Sequence, residues 1–222
     1  MQGVLFDLDG ILTDTAKFHF AAWSRLAQEK LGVTLPAEFE SRLKGVSRVD
    51  SLVRIMDYAK VTDQYTPEQI EQMANEKNGY YVQAIEKLTQ ADILPGIPAL
   101  LAKLAARKIP CVIASASKNA PLILKNLGLT SEFAAIVDPA KVAHGKPAPD
   151  IFSAAAQAIG ASPAQCVGVE DAVAGITAIN AAGAAAVGVG DPQELAAAEI
   201  IVPTTADLTY AVLEQAYQAR AK

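Results

Sequence analysis

The 222-residue sequence is poor in the residues that build disulfide frameworks and histidine-rich metal centres. It has two cysteines, Cys111 and Cys166, and both lie in short apolar runs, which favours buried free thiols over a disulfide. It also has only two histidines, which excludes a catalytic zinc site built from three histidines. A metal site in this chain must therefore depend mainly on carboxylate oxygens.

The sequence also lacks an excess of positive charge, a membrane-spanning run and a leader segment. Its 19 basic and 24 acidic residues give a net charge of −5, which argues against nucleic acid as a partner. No apolar run approaches the ~18 residues that cross a bilayer. Met1 leads directly into an apolar run without a basic leader, so we predict a cytoplasmic protein with no membrane partner.

Short apolar runs, together with the helix-like segments that alternate with them, make up most of the sequence. The runs are too short for helices and cover residues 3–7, 111–114, 134–137, 166–169, 185–189 and 200–202. Between several of them, apolar residues recur at helical spacing and end at a glycine, as before Gly128 and Gly160. Continuous apolar strands that alternate with helices predict a Rossmann-like α/β fold with a parallel sheet covered on both faces.

The segment from residue 16 to 87 interrupts this alternation because it contains no strand pattern. Its helices are predicted to begin after Thr15 and near Pro36, Ser47 and Thr66, where Pro67 suits the first helical turn. We therefore predict two domains. Residues 1–15 and 88–222 form the α/β core domain, and residues 16–87 form an inserted all-helical cap domain.

Polar side chains end most of the apolar runs, where open α/β sheets bind ligands. These strand-end residues are Asp7, Asp9, Ser115, Asp138, Glu170 and Asp171. Asp7 and Asp9 lie on one side of an extended chain, and paired acids at this edge suit magnesium. A single acid here is better explained by helix capping, whereas several at one sheet edge favour a metal site.

The segment 7–13, Asp-Leu-Asp-Gly-Ile-Leu-Thr, resembles the nucleophile motif of the haloacid dehalogenase superfamily. The other three motifs of that superfamily follow in order at Ser115, at Lys146 before Pro147, and at Glu170–Asp171. The resemblance spans the whole chain and implies a phosphoryl-transfer enzyme. It implies that Asp7 is the nucleophile that carries the phosphoryl group and that Asp9 is the general acid and base.

The same resemblance implies a magnesium cofactor and two residues that bind the transferring phosphoryl group. The implied metal ligands are the carboxylates of Asp7, Glu170 and Asp171 and the backbone carbonyl of Asp9. Ser115 and Lys146 are implied to bind the phosphoryl oxygens. Considered alone, Lys146 would be interpreted as a surface lysine.

Segments 13–23, 43–51 and 114–119 are similar to the sugar-phosphate mutases of this superfamily. The similarity implies interconversion of β-glucose 1-phosphate and glucose 6-phosphate, with the 1,6-bisphosphate as intermediate or primer. We expect so small an enzyme to be a monomer. The implied substrate-binding residues are Asp9, His19, Trp23, Gly45, Val46, Ser47, Arg48, Ser51, Lys77, Ala116, Ser117, Lys118 and Asn119.

Several of these residues keep a second interpretation. A mutase must bind a second phosphate, a role that suits Arg48, but Arg48 could equally be a solvated residue at a helix start. His19 is either an orienting residue near Asp9 or an exposed helix position. Lys77 either faces the substrate or is a surface lysine, and Trp23 also suits the core of the cap domain.

Two other functions remain open. A sugar-phosphate phosphatase would use the same catalytic residues and differ in admitting water to the aspartyl phosphate. A non-catalytic phosphate-sugar-binding protein would share the fold, but the intact Asp7, Asp9, Lys146 and Asp171 argue against it. How strictly the site requires glucose and its β-anomer is not determined by these motifs.

Overall fold

The computed structural model of the chain describes residues 1–43 and 46–220, so Gly45 lies outside the described residues. The chain divides into two compact units. The first, here called the core unit, comprises Met1–Asp14 and Leu88–Lys222. The second, here called the helical unit, comprises Thr15–Lys87.

In the described part of the core unit, six strands form one parallel sheet in the order β3-β2-β1-β4-β5-β6. The strands are β1 Gly3–Phe6, β2 Cys111–Ile113, β3 Ala135–Ile136, β4 Cys166–Glu170, β5 Ala185–Val189 and β6 Ile200–Val202. Each strand falls within or next to a predicted apolar run, so the predicted parallel α/β fold is confirmed. Phe6 pairs with Ile113 on one side and Val169 on the other. The residues that follow β1, β2 and β4 therefore leave the sheet at the same edge.

The described residues also form eight α-helices. They are α1 Ala16–Leu26, α2 Arg48–Ala59, α3 Pro67–Ile85, α4 Ile97–Ala106, α5 Ala120–Leu127, α6 Asp150–Ala158, α7 Val173–Ala182 and α8 Tyr210–Arg220. Helices α4 to α8 belong to the core unit, where β1 is buried along its whole length. Full burial of the central strand explains its continuous apolar sequence, because helices cover both faces of a parallel sheet.

The helical unit is built from α1, α2 and α3. The Ser47 hydroxyl accepts a hydrogen bond from the Asp50 amide at 3.2 Å, and Thr66 forms a capping box with Gln69, so both predicted helix starts are confirmed. The segment after Pro36 forms a six-residue 3₁₀ helix, Ala37–Arg42, instead of a longer α-helix. Apolar side chains from these elements form the core of the unit, among them Trp23, Leu26, Phe39, Leu52, Ile55, Met56 and Ala74.

The two cysteines are buried and form no disulfide, as predicted. Burial raises the pKa of the Cys111 thiol to about 12 and that of the Cys166 thiol to about 11. Both thiols therefore stay protonated at neutral pH and pack as small apolar groups. Among the described residues, no helix combines the length and the apolar character needed to cross a membrane.

Candidate active site

Three carboxylates meet where β1 and β4 end. Asp7 follows β1 directly, and its amide donates to the Val169 carbonyl at 3.0 Å, which continues the pairing of the two strands. Glu170 is the last residue of β4, and Asp171 comes next. One oxygen from each of these three acids lies within 4.8 Å of the others. The structure therefore brings together the three carboxylates that were predicted to bind a metal.

Lys146 lies between two of these acids. Its Nζ donates to Asp7 Oδ1 at 2.6 Å and to Glu170 Oε2 at 2.7 Å. The side chains of Lys146, Asp7 and Glu170 are only 3%, 9% and 3% exposed. The ammonium also lies 5.0 Å from the centre of the Phe152 ring. Lys146 is thus a buried countercharge and not a surface lysine.

The electrostatics of this cluster suit a divalent cation. Burial raises the pKa of Glu170, and the nearby Asp7 carboxylate raises it further. Burial alone would lower the pKa of Lys146, but the charges of Asp7 and Glu170 outweigh that effect and raise it. Three clustered acids against one ammonium leave an excess of negative charge on hard oxygen donors. The residues present therefore fit magnesium.

Two glycines allow the backbone to approach these clustered acids, and no role for either glycine was predicted from the sequence. A Cβ atom at Gly175, in the first turn of α7, would lie 2.0 Å from Glu170 Cδ. A Cβ atom at Gly10, whose φ is +81°, would lie 2.2 Å from Asp171 Oδ2. A glycine within a helix lowers the stability of that helix, so its presence at position 175 was a signal in the sequence that another group packs closely against the helix.

We expect Gly175→Ala to weaken magnesium binding by about 10- to 100-fold, the usual effect of disturbing groups that orient metal ligands. The added methyl group would displace the Glu170 carboxylate. Isothermal titration calorimetry with magnesium measures the effect. Gly79→Ala in α3 is the matched control, because a Cβ atom there meets nothing within 4 Å. Equal affinity in both variants would contradict the supporting role of Gly175.

The loop after β2 carries the predicted phosphoryl-binding hydroxyl. Ser115 is 2% exposed, and its Oγ accepts from the Ser117 amide at 3.1 Å. Ser117 Oγ in turn accepts from the Asn119 amide at 3.3 Å, just before α5 begins. These bonds order the loop, while Ala116 and Lys118 are exposed.

The two remaining strand-end acids of the core unit have different environments. Asp9 is partly buried, and its backbone forms an isolated β-bridge with Thr13 across a turn. The Thr13 hydroxyl donates to the Asp92 carbonyl at 2.8 Å, which ties this turn to the chain before α4. Asp138 is exposed and accepts from the Ala140 amide at 2.9 Å. Asp138 is therefore a local cap, and the capping interpretation holds for that residue.

In the helical unit, Lys77 contacts two other predicted binding residues. Lys77 Nζ lies 2.7 Å from His19 Nδ1 and 4.5 Å from the centre of the Trp23 ring. Lys77 is 2% exposed, so it is not a surface lysine. Trp23 packs in the core of the unit, and His19 is partly buried rather than exposed.

Arg48 is the first residue of α2, and α3 holds its side chain in place. Its Nη2 donates to Asn78 Oδ1 at 2.9 Å and its Nη1 to Asn75 Oδ1 at 3.3 Å. A guanidinium held by neutral amides keeps its charge available for an anion. Around it, Ser47 caps α2 and Ser51 is buried. Val46, like Arg48, is partly exposed, and Gly45 lies outside the described residues.

Known proteins are similar to this chain over nearly its whole length. The family of haloacid dehalogenase-like hydrolases matches residues 1–183. The β-phosphoglucomutase of Bacillus subtilis is 44% identical over 218 residues, which are 98% of this chain and 96% of that protein. The crystal structure of β-phosphoglucomutase from Clostridium difficile superposes with a TM-score of 0.94 at 40% identity. The superposed residues are 98% of this chain and 97% of the Clostridium difficile chain.

A phosphatase is also among the relatives. The fructose-1-phosphate phosphatase YqaB of Escherichia coli is 32% identical over 190 residues, which are 84% of this chain and 95% of that protein. Both a mutase and a phosphatase are thus similar to this chain, so family membership alone does not select one reaction. The chain belongs to the haloacid dehalogenase-like hydrolase family.

Proposed function

We propose that the chain is a magnesium-dependent mutase that interconverts β-D-glucose 1-phosphate and D-glucose 6-phosphate through β-glucose 1,6-bisphosphate. The observation that carries this proposal is the position of Asp7, which lies among the metal-site acids and is held by Lys146. Similarity to β-phosphoglucomutases over 98% of the chain supports the mutase over other phosphoryl transfers.

The proposed reaction passes the phosphoryl group through Asp7. The 1,6-bisphosphate primer first phosphorylates Asp7. In one half-reaction, Asp9 takes the proton of the 6-hydroxyl of β-glucose 1-phosphate, whose oxygen attacks the aspartyl phosphate; the bond from phosphorus to Asp7 breaks and the 1,6-bisphosphate forms. In the other half-reaction, an Asp7 oxygen forms a bond to the phosphorus of the 1-phosphate, the bond from that phosphorus to the sugar oxygen breaks, and Asp9 gives that oxygen a proton, which releases glucose 6-phosphate and leaves Asp7 phosphorylated. Lys146 orients Asp7 through Oδ1, and Ser115 and Lys146 bind phosphoryl oxygens.

Magnesium is the proposed cofactor. The carboxylates of Asp7, Glu170 and Asp171 and the carbonyl of Asp9 would hold it, and it would offset the repulsion between a carboxylate nucleophile and an anionic phosphate. Cationic side chains of this chain would offset the remaining negative charge. In the core unit that side chain is Lys146, which is buried against Asp7.

The proposed bisphosphate intermediate requires binding groups for a second phosphate. Arg48 in the helical unit and Ser117, Lys118 and Asn119 in the core unit are the proposed groups. Ala116, Gly45, Val46, Ser47 and Ser51 are proposed to bind the rest of the substrate. The guanidinium fork of Arg48 matches phosphate geometry, and its amide partners do not neutralise it.

We expect Arg48→Ala to lower the mutase rate by about 10- to 100-fold, the effect of losing a hydrogen bond to a charged group. Hydrolysis of a small phosphate ester should change little, because that substrate has no second phosphate. Arg54→Ala, an exposed arginine on the same helix, is the matched control. Equal losses in mutase and hydrolase rates would remove Arg48 from the second phosphate site.

One experiment tests the proposed function directly. The protein is incubated with magnesium, β-glucose 1-phosphate and a trace of the 1,6-bisphosphate primer, and glucose 6-phosphate and free phosphate are followed together. Rapid glucose 6-phosphate with little free phosphate supports the mutase. Stoichiometric free phosphate supports the phosphatase, which the similarity to YqaB favours as the second candidate. Magnesium binding without turnover on any sugar phosphate would support a non-catalytic binding protein.

We further infer that the enzyme acts as a monomer in the cytoplasm. The two buried, unpaired thiols suit a reducing compartment. Size-exclusion chromatography with light scattering tests the monomer. A stable dimer at micromolar concentration would contradict it.

A further inference from the structure

The helical unit contains a buried cluster of one lysine, one histidine and two aromatic rings. Lys77 Nζ lies 2.7 Å from His19 Nδ1. The Tyr81 ring stacks on the His19 ring, with 3.8 Å between centres and 21° between planes. Lys77 Nζ also lies 4.5 Å from the centre of the Trp23 ring and 5.1 Å from that of Tyr81. Lys77 and Tyr81 thus contact the imidazole directly, and Trp23 contacts Lys77.

The contact between Lys77 and His19 determines where the imidazole proton lies. An ammonium group carries three donors and no acceptor. Its partner must therefore accept, so Nδ1 of His19 must carry a lone pair and the ring proton must be on Nε2. A neutral amine at Lys77 would allow the opposite arrangement, with Nδ1 as donor. The tautomer of His19 therefore depends on the charge of Lys77.

The surroundings of Lys77 stabilise its charged form. Lys77 is 2% exposed, and two aromatic faces lie within the ~6 Å of its ammonium at which a ring attracts a cation. The His19 lone pair supplies a further acceptor. Trp23, on α1, and Tyr81, on α3, thus partly replace the hydration that Lys77 has lost.

The same surroundings keep His19 neutral. Burial is the largest cause that lowers the pKa of His19 well below 6.5, followed by the positive charges of Lys77 on α3 and Arg48 on α2. Arg48 is paired with the neutral amides of Asn75 and Asn78, so its charge is not cancelled. A histidine beside two cations is poorly suited to take up a proton near neutral pH.

We propose that Trp23 and Tyr81 are positioning residues that hold Lys77 as a charged donor to Nδ1 of His19 and so fix His19 as the neutral Nε2–H tautomer. His19 then presents a permanent hydrogen-bond donor to an oxygen acceptor and does not transfer protons. We identify this acceptor as an oxygen of the sugar phosphate, and that identification rests on the proposed function. The tautomer of His19 and its dependence on the two rings do not rest on the proposed function.

The tautomer can be read by NMR without any substrate. Long-range ¹H–¹⁵N spectra of the labelled full-length chain show ring nitrogens for only two histidines, and the exposed His144 is the reference ring. We expect His19 to show an unprotonated Nδ1 and a protonated Nε2, unchanged from pH 6 to pH 9. A protonated Nδ1, or an imidazolium at pH 7, would overturn the proposal.

Variants separate positioning from packing. Trp23→Phe and Tyr81→Phe keep an aromatic face and should keep the His19 spectrum, whereas Trp23→Leu, Tyr81→Leu and Lys77→Met should give mixed tautomers. If the two leucine variants retain the wild-type spectrum, the rings have no positioning role. If a leucine variant fails to fold, a Phe variant with a mixed spectrum overturns the proposal equally.

Catalysis provides a second readout. In the leucine variants we expect kcat to fall in proportion to the fraction of His19 that carries its proton on Nδ1, because that tautomer cannot donate from Nε2. Wild-type protein that has the expected His19 spectrum but does not turn over β-glucose 1-phosphate would refute the proposed function and leave the positioning role intact. A wild-type protein that turns over β-glucose 1-phosphate but has His19 protonated on Nδ1 would support the proposed function and refute the positioning role.

Discussion

Asp7→Asn is expected to abolish turnover of β-glucose 1-phosphate and to leave no phosphoenzyme detectable by intact-mass spectrometry. An amide of nearly the same size keeps the packing at the end of β1 but cannot attack phosphorus as a carboxylate does. Loss of a covalent nucleophile can cost on the order of 10⁶ in kcat, so the remaining rate should fall below detection. The Lys146 ammonium can still donate to the amide oxygen, so the fold should be retained.

The control for Asp7 is Asp138→Asn, the same chemical change at another strand-end acid. Asp138 is exposed, and its side chain accepts a local hydrogen bond from the Ala140 amide. Its substitution should leave the phosphoenzyme signal unchanged and shift stability by about 1 kcal/mol at most, the value of a helix cap. A phosphorylated Asp7→Asn protein would show that another residue is the nucleophile.

Lys146→Met is expected to destabilise the magnesium-free protein by about 3–5 kcal/mol at pH 7.5, the usual cost of removing one partner from a buried ion pair. Lys146 is the donor that Asp7 and Glu170 share at 2.6 and 2.7 Å, and all three side chains are less than a tenth exposed. Without it, two carboxylates remain buried side by side. Urea denaturation monitored by circular dichroism measures the change.

Two further measurements distinguish lost charge compensation from lost packing. Glu170→Gln in the Lys146→Met background should recover part of the stability, because it removes one of the two buried acids that Lys146 contacts. Lys118→Met is the matched control at an exposed lysine and should stay within about 0.5 kcal/mol of the wild type. If Lys146→Met is no less stable than Lys118→Met, the ion pairs contribute little and the acids of this site are not ionised together.

The parallel sheet and the position of its acids could be predicted because both depend on local sequence patterns. A strand buried on both faces must be apolar throughout, so β1 and β4 are visible in the sequence as short runs that end in acids. In parallel strands those ends share one edge, which is why the sequence alone predicts that Asp7 and Glu170 lie close together. The helix starts at Ser47 and Thr66 were predictable for the same reason, since a cap acts within three residues.

Other features of the site depend on contacts between distant segments. Lys146 and Asp7 are 139 positions apart, and Lys77 and His19 are 58 apart. No periodicity relates such pairs, so a lysine considered alone is interpreted as a surface residue. The burial of both lysines, and the stacking of Tyr81 on His19, follow from packing that the patterns do not encode.

The sequence by itself determined the fold class, the family and which acids stand at the end of which strand, because alternation, capping and strand ends act over a few residues. Tertiary structure alone decided which charges are buried together. It also decided that the Glu170 side chain packs against Gly175 and that Lys77 is hydrogen-bonded to Nδ1 of His19. The physical reason is that the free energy of a charge or a proton position depends on burial and on neighbours in space. Those neighbours are set only when the chain has folded.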